Sequence, residues 1–558
     1  MFSLTTLTGL LLAVASNVPL AVAEGPSVAL RYSTVVGSSS NGIDSFRGIP
    51  FAHPPVGSLR LKPPQPITSS LGEVQATATP KACPQFSSQF TPSGLPPALL
   101  DIITNISNVV QNQDEDCLTL NVQRPSDASS GSKLPVVFFI YGGAFESGAT
   151  QGVDSTNLIQ ASIASGTPII FVAANYRLGG FGFLAGKELL NDGSTNLGLR
   201  DQRLALQWVA DNIEQFGGDP DKVTLWGFSA GSMSVFDQTA LFGGNNSYHG
   251  KPLFRAALME SGSILPAEPA NSTKAQLIYD KVVDSAGCST SSDTLACLRS
   301  VDFNTFLLAA ESVPISSSYN SIALSYLPRP DGTVLLDSPE NLASRGQFAK
   351  VPLLLGDQED EGTLFSVYQL NLTSTQDVEE YLGSLYFQQA TASQVQDLVA
   401  TYPDDPSAGS PFRTGSLNNF YPEYKRLAAI LGDFIFTLQR RSLLETVDQI
   451  APSVPTWSFL SSYLYGTAFL GTFHTTSQIA AFGLIPGYAS SVTQEFYISF
   501  FNTMNPNSNG STLLPTWPCW GSGKQVMQLG ATSSSLLNDS FRSTSFDFIR
   551  ANSQVLHL

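Results

Sequence analysis

Charge is scarce in this chain of 558 residues: Asp, Glu, Lys and Arg make up 13% of it, against 42% for hydrophobic residues. Extended disorder needs the reverse balance, so a chain that stays unfolded is excluded. Cations are scarcer than anions, and the formal net charge is −17. An acidic surface repels phosphate backbones and anionic headgroups, which argues against nucleic acid and against charge-driven membrane binding. Histidine occurs four times and cysteine five times, with no C-x-x-C pair and no Cys/His cluster, so no metal site is expected. Internal repeats and runs of like charge are absent as well. The 45 glycines and 35 prolines are scattered, as turns require, rather than gathered in a low-complexity tract. Past the N-terminus no apolar run is long enough to cross a bilayer, so no integral membrane segment is expected.

The chain opens with MFSLTTLTGLLLAVASNVPLAVAEG. Leu10 to Ala15 form an apolar core, and Ala21-Val22-Ala23 places small residues before Glu24, so residues 1–23 read as a secretory signal peptide. Asn17 and Pro19 interrupt the stretch, against a membrane anchor. A secreted, extracellular protein is expected. In an oxidising compartment the near neighbours should pair, Cys83 with Cys117 and Cys288 with Cys297, leaving Cys519 as a buried free thiol. Closing a loop of about 35 residues contributes roughly 4 kcal/mol in the chain-entropy account. Sequons at Asn105, Asn245, Asn271, Asn371, Asn509 and Asn538 are glycosylation candidates.

The apolar, β-rich runs LPVVFFIYGG (134–143) and TPIIFVAANYR (167–177) read as strands buried on both faces, the habit of parallel sheets. LGLRDQRLALQWVADNIEQFGG follows, with Leu199, Leu206, Val209, Ile213 and Phe216 at helical spacing and Gly217 as a stop. KVTLWG is a further strand and AGSMSVFDQTALF a further helix; more strands are expected at 255–262, 351–356 and 455–463. This alternation predicts an α/β fold around a large, mostly parallel sheet. No linker divides the chain, so residues 24–558 read as a single domain with long insertions.

Between the strand VTL and the following helix lies Gly227-Phe228-Ser229-Ala230-Gly231, a G-x-S-x-G motif in the strand-to-helix context where a strained serine can be held exposed. Ser229 is therefore the candidate nucleophile. A serine needs a base, usually a histidine oriented by a carboxylate. His53 precedes the serine, against the Ser…acid…His order of α/β-hydrolases; His249 leaves little room for an acid strand; His557 is penultimate and is expected to fray. His474 in LGTFHTTSQ remains. The acid is expected after the strand of VPLLLGDQEDEGTLF, where Asp357, Glu359, Asp360 and Glu361 are equal candidates by spacing. An oxyanion hole needs backbone N–H donors; Ala230 supplies one, and FIYGGAFESG (139–148) offers others.

These segments, with FRGIPFAHPPVGSLRL, EDCLTLNVQRP, NYRLGGFGFL, SYLPRPDG, GDQEDEGT and GTFH in the same order, resemble the type-B carboxylesterase/lipase family, the cholinesterase-like branch of the α/β-hydrolases. The match runs from near residue 46 to beyond 545, and LSYLPRPDG, GDQEDEGTLF and RLAAILGDFIFTLQRR narrow it to secreted fungal lipases and sterol esterases. The resemblance implies Ser229, Glu361 and His474 as a triad, and Gly143, Ala144 and Ala230 as oxyanion donors, without a cofactor. It also implies the two disulfides and ion pairs of Arg47 with Glu115 and of Arg177 with Asp201. Phe228 departs from the glutamate that most relatives carry beside the nucleophile. The site should be more apolar, and activity should extend to more acidic pH.

Within the Cys83–Cys117 loop, PPALLDIITNISNVVQ places Leu99, Ile102, Ile103, Ile106 and Val110 on one helical face. Lipases of this resemblance carry a lid at that place, so residues 84–116 are expected to cover the pocket in water and open at a lipid–water interface. Such an apolar face would equally suit a homodimer. The expected function is hydrolysis of long-chain lipid esters, triacylglycerols and sterol esters, through an acyl-enzyme. A soluble-substrate carboxylesterase without a lid and a non-catalytic cholinesterase-like binding protein are the alternatives.

Overall fold

The computed structural model describes residues 25–86, 112–507 and 514–558, together with Pro96, Leu99 and Val110. The expected signal peptide, the lid residues Ile102, Ile103 and Ile106, and the sequons at Asn105 and Asn509 lie outside the described residues. Leu99 is fully buried and Val110 half-buried.

An 11-stranded sheet organises the protein. In chain order its strands are β1 (Ser38–Ser40), β2 (Ile43–Pro50), β3 (Thr119–Pro125), β4 (Leu134–Ile140), β5 (Ile170–Ala174) and β6 (Gly218–Phe228). Then come β7 (Ala256–Glu260), β8 (Leu353–Gln358), β9 (Thr456–Ser461), β10 (Gln525–Leu529) and β11 (Ser534–Asn538). Across the sheet the order is β11-β10-β9-β8-β7-β6-β4-β5-β3-β2-β1. From β5 to β10 every pairing is parallel, while β1, β2 and β3 at one edge and β11 at the other pair antiparallel.

The parallel strands are those the sequence marks most clearly. In β4, β5 and β8 the run of Val, Ile, Leu and Phe has no polar alternation, because helices cover both faces of the sheet and every position past the first of β4 is buried. The helix α1 (Leu197–Asn212) buries Leu199, Leu206 and Val209, then tightens into a 3-10 turn that Gly217 closes at φ 92°. The helix α2 (Ala230–Gly244) is buried nearly all round as far as Leu241, as a helix under a sheet must be. Beneath the sheet Trp226 gathers an aromatic cluster, with ring centroids 4.8 Å to Phe139, 5.0 Å to Phe482 and 5.7 Å to Tyr497. The last of these lies on a long helix, Tyr488–Thr503.

The disulfides Cys83–Cys117 and Cys288–Cys297 form as expected, with Cα–Cα distances of 5.0 and 5.8 Å. Cys519 is free, but half-buried rather than buried, and burial pushes its thiol up. Arg177 pairs with Asp201 through Nη2–Oδ1 at 2.7 Å, again as expected. The pairing of Arg47 with Glu115 does not occur: Phe46 turns into the core, so its neighbour Arg47 faces solvent. Arg60 takes Glu115 instead, bidentately, at 2.6 and 2.7 Å. Nor does the C-terminus fray, because Leu556 and Leu558 are fully buried and His557 Nε2 lies 2.9 Å from Glu340 Oε1. The sequon residues Asn245, Asn271, Asn371 and Asn538 are all exposed. No helix among the described residues is long and apolar enough to cross a membrane.

Candidate active site

Parallel strands end at a common edge, and the loops that leave those ends are where side chains from distant segments can converge. Ile140 pairs with Gly227, and Phe228 with Glu260, so the C-terminal ends of β4, β6 and β7 stand side by side. Ser229 sits at the end of β6 with φ 56° and ψ −127°, a strained conformation that the flanking turn must hold. Both glycines of the motif are forced. A Cβ on Gly227 would lie 2.2 Å from the Gly231 carbonyl oxygen, and one on Gly231 would lie 2.0 Å from that of Ile140. The Ser229 N–H donates to the Glu260 carbonyl at 2.9 Å, and its own carbonyl accepts from Ser232 and Met233, which starts α2.

The glycine-rich loop after β4 lies directly against the serine: a Cβ on Gly142 would come within 2.7 Å of Ser229 Cβ. Gly143 (φ 118°) and Ala144 (φ 56°) both turn left-handed, which swings successive N–H groups to one side. Among the described residues, none accepts a hydrogen bond from the N–H of Gly143, Ala144 or Ala230. Glu146 closes the loop as a buried carboxyl, pushed up to about 7 by desolvation, and its Oε2 accepts from the Ser316 N–H at 2.8 Å.

The four carboxylates after β8 find four different environments. Asp357 accepts from Arg440 Nε at 2.8 Å. Glu359 pairs with Arg413 at 2.5 Å. Asp360 accepts from Ser410 Oγ, the Phe412 N–H and the Thr472 N–H at 2.8–2.9 Å, and burial pushes it up to about 7. Only Glu361 meets the imidazole, with Oε2 2.5 Å from His474 Nδ1, while its Oε1 accepts from the Gln358 N–H at 2.7 Å. His474 lies at the end of the bridge that joins Asp360 to Phe473, and its chain then turns through Thr475 (φ 96°) into a short helix, Thr476–Ala481.

Three phenylalanines surround the imidazole. Ring centroids lie 4.8 Å away at Phe228, 5.1 Å at Phe365 and 4.9 Å at Phe436. Phe228 adjoins the serine, so the histidine and the elbow share one apolar wall. Phe436 comes from a π-helical turn, Asp433–Thr437, set between the α-helices Tyr424–Gly432 and Leu438–Ile450. Ser229, Glu361 and His474 are all nearly buried, at 8%, 2% and 4% exposure. The arrangement holds an imidazole by a carboxylate near the elbow serine, in surroundings that exclude water.

The sequence reading missed Gln358 and Glu260. A signal existed for Glu260 alone: a carboxylate directly after the apolar run AALM within RAALMESG. The other excluded histidines stand apart, His53 half-buried and His249 exposed with its ring 4.0 Å from Tyr248.

Known proteins resemble this chain over nearly its whole length. A secreted lipase of Botryotinia fuckeliana is 53% identical over 536 residues, covering 95% of this chain and 93% of its own. A secreted triacylglycerol lipase of Gibberella zeae is 52% identical, over 95% of this chain and 91% of its own. Among solved structures, EstA of Aspergillus niger matches with a TM-score of 0.81 at 28% identity, over 96% of this chain and 99% of its own. The protein is thus extracellular, with an α/β-hydrolase fold. The pattern of the carboxylesterase family matches residues 24–549, and the chain belongs to that family as a carboxylic ester hydrolase.

Proposed function

We propose that this protein hydrolyses long-chain lipid esters, triacylglycerols and sterol esters among them, at lipid–water interfaces through an acyl-enzyme on Ser229. The observation that carries this reading is the contact of His474 Nδ1 with Glu361 Oε2 at 2.5 Å beside the strained Ser229 elbow. His474 Nε2 takes the Ser229 proton as Oγ attacks the ester carbonyl, and Glu361 holds the tautomer that leaves Nε2 free. The N–H groups of Gly143, Ala144 and Ala230 stabilise the oxyanion. The tetrahedral intermediate then collapses, His474 returns the proton to the leaving alcohol, and water repeats the sequence to release the acid. Residues 24–558 act as one domain, with the 84–116 loop, tied at its base by Cys83–Cys117, as the lid. The three phenylalanines around the imidazole and the names of the two secreted lipases support a lipid rather than a small polar substrate.

A hydrolysis panel tests this reading, running from short-chain nitrophenyl esters to triolein and cholesteryl oleate, each dissolved or emulsified. The expected result is a preference for long chains, a rise in specific activity once an interface forms, and loss of that rise in the double variant Ile102→Ser/Ile106→Ser. Equal activity on dissolved and emulsified ester, unchanged in the double variant, would leave a soluble-substrate esterase as the better description.

A further inference from the structure

We propose that Glu260 is a positioning residue for this ester hydrolysis, a carboxyl one strand from the elbow that holds the His474 segment in place and adds negative charge behind the imidazole. The proposal rests on the assignment of Ser229, Glu361 and His474 given above.

Glu260 ends β7 at 0% exposure and stands opposite Phe228 in register. Its backbone carbonyl accepts the Ser229 N–H at 2.9 Å, so the same residue fixes the nucleophile's main chain. Its side chain works on the other partner. Oε2 accepts from Trp226 Nε1 at 3.0 Å, on the elbow strand, and from Gln478 Nε2 at 2.6 Å, on the helix that follows His474. Ser477 of that helix accepts from the Gln358 side chain, and the Gln358 main chain donates to Glu361. Elbow strand, histidine segment and acid loop thus meet in one buried polar layer, with Glu260 joining the first two.

Beyond Trp226 and Gln478, the hydroxyls of Ser477 and Tyr497 hydrogen-bond this carboxyl and oppose the effect of its burial. The titratable groups facing it are Glu361, from the loop after β8, and Tyr497, from the helix Tyr488–Thr503. Burial, opposed by Ser477 and Trp226 and reinforced by the Glu361 charge, raises Glu260 to about 7. The tyrosine hydroxyl is itself pushed far above its usual range by burial, then by Glu260, and stays neutral.

The consequence follows from sign alone. When His474 accepts the Ser229 proton, an imidazolium forms, and a carboxylate behind Glu361 favours it. Glu260 is anionic above about pH 7 and neutral below, exchanging its proton with solvent and never with the substrate. The advantage is therefore present on the alkaline side and lost on the acidic side.

The test compares Glu260→Gln and Glu260→Asp with the native enzyme, by kcat and KM on a soluble short-chain nitrophenyl ester across pH, with Ser229→Ala as control. The glutamine keeps an acceptor for Trp226 and Gln478 but no charge; the aspartate keeps the charge. For E260Q we expect kcat about 10-fold lower at about pH 8.5 and within about 2-fold of native at about pH 5.5, at nearly constant KM. E260D should retain the native contrast between those two pH values. An E260Q profile superimposable on the native one, or E260D behaving as E260Q, overturns the proposal. Activity surviving in S229A overturns the underlying reading instead, so the two failures are distinguishable.

Discussion

Phe228 shows most directly how one side chain sets the character of this site. Its ring lies 4.8 Å from the imidazole of His474, where a carboxylate would favour the charged ring. In Phe228→Glu the acidic limb of the pH–rate profile should move upward by about one pH unit, the effect expected of one adjacent opposite charge. A limb that stays put or moves down would remove the proposed role of the apolar wall. Legibility at this scale follows the range of the determining contacts. Ser229 could be read because the glycines that permit its turn are its sequence neighbours. Glu361 could not be chosen from residues alone, since Arg440, Arg413, Ser410 and Thr472 dispose of the other three carboxylates from far along the chain. Glu260 went unread because a carboxylate at a strand end ordinarily faces water.

Among the elements, the parallel strands announce themselves and the edges do not. β4 and β5 are continuous apolar runs because both faces are covered. By contrast β11 reads SSLLN, with no buried residue, and its pairing with β10 comes from register rather than hydrophobic pattern. The π-helical turn carrying Phe436 likewise has no sequence signature. What joins elements is often a buried ion pair. Arg177, past the end of β5, grips Asp201 of α1 through Nε and Nη2 at 2.8 and 2.7 Å and reaches the Lys62 carbonyl with Nη1. Arg177→Met leaves Asp201 buried without its partner and should cost about 3–5 kcal/mol of stability by chemical denaturation. A loss below about 1 kcal/mol, the range of exposed pairs, would mean that the clamp contributes nothing specific.

At the scale of the whole molecule, acidity and burial act together. The net charge is −17, and several carboxyls sit where burial raises them: Glu146, Glu260 and Asp360 to about 7, and Asp237 to about 8. A carboxyl raised in the folded state holds a proton that the unfolded chain has released. Its contribution is complete below the unfolded value of about 4 and declines as pH rises through the folded value. Asp539, held low by Arg440 and Arg441 against the effect of burial, has the opposite dependence, lost only as pH falls below about 4. Between these windows Tm should be highest at about pH 4 and fall steadily towards about pH 8, with self-repulsion adding to the decline. A Tm that climbs over that interval would contradict the raised carboxyls.

The central claim, that Ser229 is the nucleophile of a long-chain ester hydrolase, is tested most directly by covalent labelling. A phosphonate ester with a long alkyl chain traps an activated serine by forming a P–O bond and expelling its leaving group. Intact-mass and peptide analysis should then find a single phosphonyl group on the peptide bearing Ser229, formed faster from an emulsion than from solution and absent in Ser229→Ala. Labelling at another residue, or an unlabelled protein that still hydrolyses triolein, would contradict the account.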